Sequence, residues 1–513
     1  MKSLSVELRL SLSVLTLMCL SPCFSFAQAG SRSIRNWVHC DGKSDDAVGA
    51  ASAFAAAKDN AFTLVVDCPV FIHVGTDIRR PIYIDNGTTV QFTGDGLFKV
   101  DNADIPAFVI PNSVKVRLFG WRIQFVGKLP IAENWTGYYD NGTFVSTKEW
   151  PSGAFAGRAL SPWMGVHRGM TFHEPGPWAG ATNSSAIIYI VGSTKDLVVR
   201  NMKMFVAPDA KGSEYIPMAF SLTGYWNNNQ QNILRATPMT PDRYSVPSDV
   251  TFSDIDLDGY YMGWQGSMRN GLIEHVRAHR YGDLQDDQGQ HSGGDPKWFA
   301  PPHLFYLNYD PKNPGLENLN IRIVDVIDYG IRAGVARDLG GSDTQSGYAN
   351  SLKIGGINCE VDGYKSYRPD GFMDVLTSNG LKISNVEATY DSSFLNGVYP
   401  AIRFPQAPYR NVAFENITII DKASAPKQTP IWGSYSRDNS GVVMKNVKVV
   451  LNGPVIPPAN PSSNVSPSNG LKAASTPAPA AKPINLCPPM TGSNNKLDLQ
   501  YTVAGRVQQC HQE

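Results

Sequence analysis

Apolar and polar positions alternate in short runs along most of the chain, and each run breaks phase at one small or polar residue before alternation resumes. The runs Leu197 to Met204 and Val250 to Leu257 show it, and Leu381 to Ala388, Val412 to Ile419 and Val442 to Val449 show it most clearly. Leu319 to Val326 and Leu352 to Cys359 fit more loosely. Alternation with period two predicts half-buried strands, and a break at a fixed place predicts a strand that turns a corner. The pivots are Asp254, His275, Asp325, Gly356, Asn385, Asn416 and Asn446. They recur every ~20–50 residues, which marks a repeat architecture, and the long interval from His275 to Asp325 reads as two coils. A sandwich would instead show hairpin signals every ~8–12 residues. Asn385, Asn416 and Asn446 are expected to form a hydrogen-bonded ladder inside the repeat or at its corner, which would protect the Asn416 glycosylation sequon.

Before the first run stands Asp41-Gly42-Lys43-Ser44-Asp45-Asp46, followed by an alanine-rich stretch. Asp45 and Asp46 are placed to cap a helix from Ala47 to Lys58, and Thr63 to Val70 reads as a strand. This order resembles the opening of pectate-lyase-like proteins, in which a Gly-Asp-Gly-Lys-Thr-Asp-Asp motif precedes a helix that covers the first coil. The resemblance spans about residues 39 to 127 and implies an all-β fold, a right-handed single-stranded parallel β-helix with an N-terminal capping helix and long loop insertions. It speaks to architecture rather than to a reaction.

The chain has 513 residues, and a solenoid can hold that length in one domain because each coil extends the same core. Residues 1–29 carry Lys2, Arg9, an apolar run from Leu10 to Leu20 and Ala27-Gln28-Ala29, which reads as a secretory signal with its cleavage site. The β-helix is expected over 30–451, a Pro/Ala/Ser-rich linker over 452–483 and a C-terminal tail over 484–513. No later segment has the apolar length of a membrane span. A secreted or periplasmic monomer follows from these features.

Five of the seven cysteines lie beyond the signal, so at least one has no partner within the chain. Pairing Cys40 with Cys68 would staple the helix to the first strand, and pairing Cys487 with Cys510 would close the tail. Cys359 lies in an apolar strand pattern and reads as a core residue. Lysine plus arginine balances aspartate plus glutamate, a formal net charge of +0. That balance argues against nucleic acid as a partner and gives no overall attraction for an acidic polymer.

Chemistry-bearing side chains are densest from His275 to His303. The adjacent Asp286 and Asp287 resemble the aspartate pair of polygalacturonase-like glycoside hydrolases, where one carboxyl protonates the leaving oxygen and another activates water. Departures from that family are plain: His291 follows without flanking glycines, and neither an Asn-Thr-Asp nor an Arg-x-Lys accompanies the pair. The catalytic candidates are Asp286, Asp287, His291, His279, Arg280 and Tyr281; the substrate-binding candidates are Arg277, Lys297, Trp298, His303 and Trp226.

Polysaccharide cleavage is the expected function, hydrolysis preferred. Elimination from a uronic acid is the alternative, with Arg277 or Arg280 neutralising the carboxylate, His279 or Lys297 as base and Tyr281 as acid. A non-catalytic carbohydrate-binding or surface-structural β-helix is the third reading. No cofactor is expected for hydrolysis; a lyase would admit Ca²⁺ at Asp283, Asp286 and Asp287, a spacing that matches no standard loop. The histidines lack the partner pattern of a zinc site.

Overall fold

The computed structural model describes residues 30–73, 81–101, 106–126, 137–140, 143–146, 186–207, 218–223, 246–260, 262–280, 304–307, 318–329, 352–367, 373–390, 399–404, 408–424, 428–432, 440–452, 494–503 and 505–512. Nearly all of their strands belong to one continuous sheet in which coil stacks on coil in parallel register. The fold is a right-handed parallel β-helix, with a helix at Ala47–Asp59 over its first coil.

Each coil presents strand segments on three faces. In the middle of the chain the first two faces share one bent strand, as in Lys195–Val206, Ser248–Tyr260, Leu272–Arg280 and Tyr409–Asp421. The third face stacks Phe108–Pro111, Ala186–Val191, Met218–Thr223, Met262–Gly266, Phe305–Leu307, Leu352–Ile357 and Met373–Asn379.

The bend has a backbone cause. Asn201, Asp254, His275, Asp325, Gly363, Asn385, Asn416 and Asn446 all adopt left-handed φ between 50° and 68°. Asparagine, aspartate and glycine tolerate that conformation best, because a short polar side chain bonds locally and glycine has no Cβ to clash. Asn416 Nδ2 donates to Asn385 Oδ1 at 3.2 Å, and Asn446 Nδ2 donates to Asn416 Oδ1 at 2.9 Å. The ladder is exposed at the corner, so the Asn416 amide is engaged without being hidden.

Two expectations are corrected here. Gly363, not Gly356, is the pivot of its coil, since the strand Glu360–Tyr367 aligns Asp362 with Ser384 and Tyr364 with Val386. The strands Leu272–Arg280 and Arg322–Asp328 pair directly, Val276 opposite Val326, so His275 to Asp325 is one enlarged coil rather than two. A second left-handed corner lies one short strand earlier, at Asp196, Asp249, Asn270, Asn320, Asn358, Gly380, Asn411 and Gly441.

Valine at position 416 would have to hold a β-branched side chain in left-handed space and would lose both ladder bonds. Asn416→Val is expected to destabilise the protein by roughly 1–2 kcal/mol, and Asn416→Gly by less, read from denaturant midpoints.

At the N-terminus, Asp41 Oδ1 accepts from the amides of Ser44 and Lys43, both at 2.8 Å, which builds the turn before the helix. These bonds, those from Ser44 foremost, lower the Asp41 carboxyl to about 2. Asp45 Oδ1 accepts from Ala47 N at 3.1 Å, as a capping side chain should. Asp46 occupies the N-cap position but gives the helix no side-chain bond; its Oδ1 instead accepts from His39 N at 2.9 Å and lies 2.6 Å from His39 Nδ1. Ala50, Ala53 and Ala57 let the helix lie close to the coil, and Phe54 meets Phe98, Phe108 and Trp121 at ring-centroid distances of 6.2–6.3 Å. The predicted strand from Thr63 to Val70 is broken into Thr63–Val66 and Pro69–Ile72, the corner falling at Asp67 and Cys68.

The bond to Asp46 raises the pKa of His39 above 6.5. Its contribution is full below the ordinary histidine value and is lost as pH rises through the raised one. The denaturation midpoint of wild type should therefore fall across that window, and His39→Gln should remove this part of the pH dependence.

Cys40 and Cys68 form the expected disulfide. Cys510 is also disulfide-bonded, while its expected partner Cys487 lies outside the described residues. Cys359 is free and buried, and burial pushes its thiol up to about 11, which suits a core role. The tail adds to the sheet: Lys496–Val503 pairs in parallel with Ser440–Leu451, then antiparallel with Arg506–Gln512. That final hairpin ends the parallel stacking, a way to blunt an open sheet edge.

Candidate functional site

Along the second face, outward positions fall in two rows parallel to the solenoid axis. One row runs Lys203, Asp256, Arg277, Ile327 and Lys365; the other runs Asp258, His279, Tyr329, Tyr367 and Thr389. Neighbouring strands lie about 4.8 Å apart, so flat side chains on successive coils are brought to stacking distance. His279 meets Tyr329 at 4.1 Å between ring centroids, and Tyr329 meets Tyr367 at 5.9 Å with planes 25° apart. Both tyrosines are 39% exposed, but their faces turn toward one another along the row.

Arg277 is committed to the next coil. Its Nη2 donates to Asp325 Oδ2 at 3.0 Å, and its Nη1 to the carbonyls of Val276 at 2.9 Å and Asp325 at 3.2 Å. Arg117 repeats this arrangement, donating to both carboxylate oxygens of Asp196 at 2.7 and 2.8 Å and to the Val116 carbonyl at 3.0 Å. In each case the arginine grips a left-handed corner aspartate one coil on. The recurrence marks a brace between coils. His275 serves as a corner as well, its Nδ1 lying 3.1 Å from Asp254 Oδ1.

Among the other candidates, Arg280 ends its strand opposite Tyr260. Asp286, Asp287, His291, Tyr281, Lys297, Trp298, His303 and Trp226 lie outside the described residues, as does the Asp283 of the conceivable Ca²⁺ set. The described residues contain no cluster of three metal-ligating side chains and no helix long and apolar enough to cross a membrane.

The third face differs from the other two. There, residues that alternation points outward are buried along with those that point inward, so Ala186–Val191 and the first six residues of Met373–Asn379 are buried throughout. Its outward row is nevertheless polar: Tyr189, Ser221, Gln265, Tyr306, Lys353 and Asp374, each opposite the next in register. Asp374 is 1% exposed and Gln265 5%, while Tyr306 and Lys353 are half-buried. Burial raises the Tyr189 phenol pKa, and a hydrogen bond with Ser221 partly offsets the rise. Lys353 Nζ stands 4.3 Å from the centroid of the Tyr306 ring. Gln265 Oε1 is buried and finds no donor among the described residues.

Sequence reasoning missed this row. Its members are scattered across several coils, and each sits in a short strand whose outward position is polar although it is sheltered. The available signal was a polar residue flanked by large apolar ones, as in Phe305-Tyr306-Leu307 and Leu352-Lys353-Ile354.

No known family profile matches the chain, and no curated protein sequence does. Solved structures do resemble it. A polygalacturonase from Erwinia carotovora ssp. carotovora aligns over 79% of this chain and 90% of its own, with 12% identity and a TM-score of 0.35. PfbA, a surface adhesin of Streptococcus pneumoniae, aligns over 93% and 92%, with 9% identity and a TM-score of 0.40. A family 28 exopolygalacturonase of Yersinia enterocolitica aligns over 83% and 72%, with 10% identity and a TM-score of 0.36. Enzymes and an adhesin stand side by side among these structures, each at low identity to this chain.

Proposed function

We propose that the protein is a secreted or periplasmic enzyme that cleaves polysaccharide by hydrolysis, with Asp286 and Asp287 as the proton-transferring pair. The observation that carries this reading is the polar row of the third face, which points outward from the coil and yet is sheltered. Sheltered polar groups converging on one strip are the usual makings of a ligand site. In sequence, Asp286, Asp287 and His291 fall between Arg280, which ends a second-face strand, and Phe305, which opens a third-face strand.

Hydrolysis needs one carboxyl group to protonate the leaving oxygen and another to activate water, and it needs no resident cation. Elimination needs a cation at the sugar carboxylate. Arg277, one of the two arginines suited to that task, is held by Asp325, which weighs toward hydrolysis. The Cys40–Cys68 disulfide supports export, since such bonds persist in oxidising compartments.

The test is digestion of a panel of neutral and uronic-acid polysaccharides by the full chain. New reducing ends without the ultraviolet absorbance of an unsaturated uronate support the proposal. Reducing ends with that absorbance replace hydrolysis by elimination, and binding without cleavage replaces the enzyme by an adhesin-like or lectin-like protein.

A further inference from the structure

We infer that the protein pairs with a second copy of itself through the outer edge of its last strand, Arg506–Gln512, so that an end-to-end dimer takes the place of the monomer expected from the sequence. The final hairpin closes the parallel stack, yet its second strand presents an edge of its own. Among the described residues, Arg506–Gln512 pairs with Lys496–Val503 and with no other strand. Open edges of this kind are ordinarily blunted by shortness, charge, proline or a bulge. The first strand of the chain follows that rule, with three residues, Ser31–Ser33. Arg506–Gln512 does not. It runs seven residues without a break in register, contains no proline or glycine, and has its one arginine at the very start.

The strand is held in place for a partner. Cys510, opposite Leu499, is buried and disulfide-bonded, which fastens one side of the strand against the last coil. Across the hairpin, Gln509 Nε2 donates to Asp498 Oδ1 at 2.8 Å. Val507, on the other side, is 61% exposed. The turn decides which backbone groups point outward. A two-residue loop closed by Val503 and Arg506 makes that pair exchange both of its hydrogen bonds, and the pattern alternates from there. Arg506, Gln508, Cys510 and Gln512 therefore commit their N–H and C=O groups to the hairpin, while Val507, Gln509 and His511 turn theirs away from it. Two such edges are complementary to each other. Run antiparallel about a two-fold axis at Gln509, they set Gln509 opposite Gln509 and Val507 opposite His511 of the partner subunit, so every outward residue of both edges is paired at once. Arg506 falls opposite Gln512 of the partner subunit, and no like charges meet. The contact closes on itself because each copy brings one such edge, and a strand already fixed loses little freedom on joining.

Light scattering on the full chain over a dilution series from about 100 to 1 µM tests the pairing. Wild type is expected at twice the mass of one chain at the upper end, and to dissociate on dilution. Gln509→Pro removes the outward N–H at the two-fold axis and keeps the hairpin's own ladder, because proline is tolerated where the N–H faces away from the sheet. That variant should be monomeric throughout. Gln509→Ala loses the bond to Asp498 but keeps the backbone edge, and it should still dimerise. Val507→Lys adds a charge at an exposed edge position and should weaken the dimer about tenfold while its denaturation midpoint stays near wild type. Wild type that is monomeric at every concentration overturns the proposal, and so does a dimer that neither Gln509→Pro nor Val507→Lys weakens. Equal loss of the dimer in Gln509→Ala and Gln509→Pro overturns pairing through the backbone edge, and assemblies larger than a dimer overturn the closed two-fold contact.

Discussion

Truncating Trp264 to alanine is expected to lower stability by about 3–5 kcal/mol, the range seen when a buried large aromatic is removed from a close-packed interior. The residue is fully buried. Its ring lies between Phe220 at 5.2 Å and Phe305 at 5.0 Å, each within 18° of parallel, and meets Phe252 edge-on at 5.7 Å. It thus links three successive coils, and no neighbouring side chain can fill its volume without leaving its own place in the file. In a solenoid the damage should stay near the lesion, since each coil is stabilised chiefly by the coils it touches. Hydrogen exchange should show lost protection in Met218–Thr223 and Phe305–Leu307, with the capped N-terminal coils little affected. Trp264→Phe, which keeps a stacked ring, should recover much of the loss. A denaturant midpoint unchanged in Trp264→Ala would sink the proposed packing.

The larger effect on activity is expected at the aspartate pair. Asp286→Asn and Asp287→Asn each preserve shape but cannot exchange a proton, so each should reduce kcat by about 10²–10⁴-fold on the polysaccharide that wild type cleaves. Denaturation midpoints should stay near wild type, because asparagine has nearly the shape of aspartate. The pH profile separates the roles: wild type should give a bell, and each variant should lose the limb set by the group replaced. Full activity in both variants removes the pair from the mechanism.

His279 shows how far the cluster could be read from sequence. Its place in a dense polar stretch was legible, and so was its outward direction, two residues past the Arg277 position on the same strand face. That its ring lies against Tyr329 was not legible, because the two residues are separated by an insertion whose length conceals the register. Arg277 carries the same lesson more sharply. An arginine beside histidines reads as a substrate contact until the coil above is known, and then it is seen gripping Asp325 in the way Arg117 grips Asp196.

The sequence alone determined where the chain bends and how it begins. Left-handed corners favour asparagine, aspartate or glycine, and that preference is met by one residue at a time, so Asn385, Asn416 and Asn446 announced themselves. The turn built on Asp41 is equally local, its bonds all falling within three residues. Only the tertiary structure decided which distant residues became neighbours. Coils stack by pairing strands across insertions of unequal length, so the row from Gln265 through Tyr306 to Lys353 exists only once each strand has found its partner, and the burial of that row only once the face is covered.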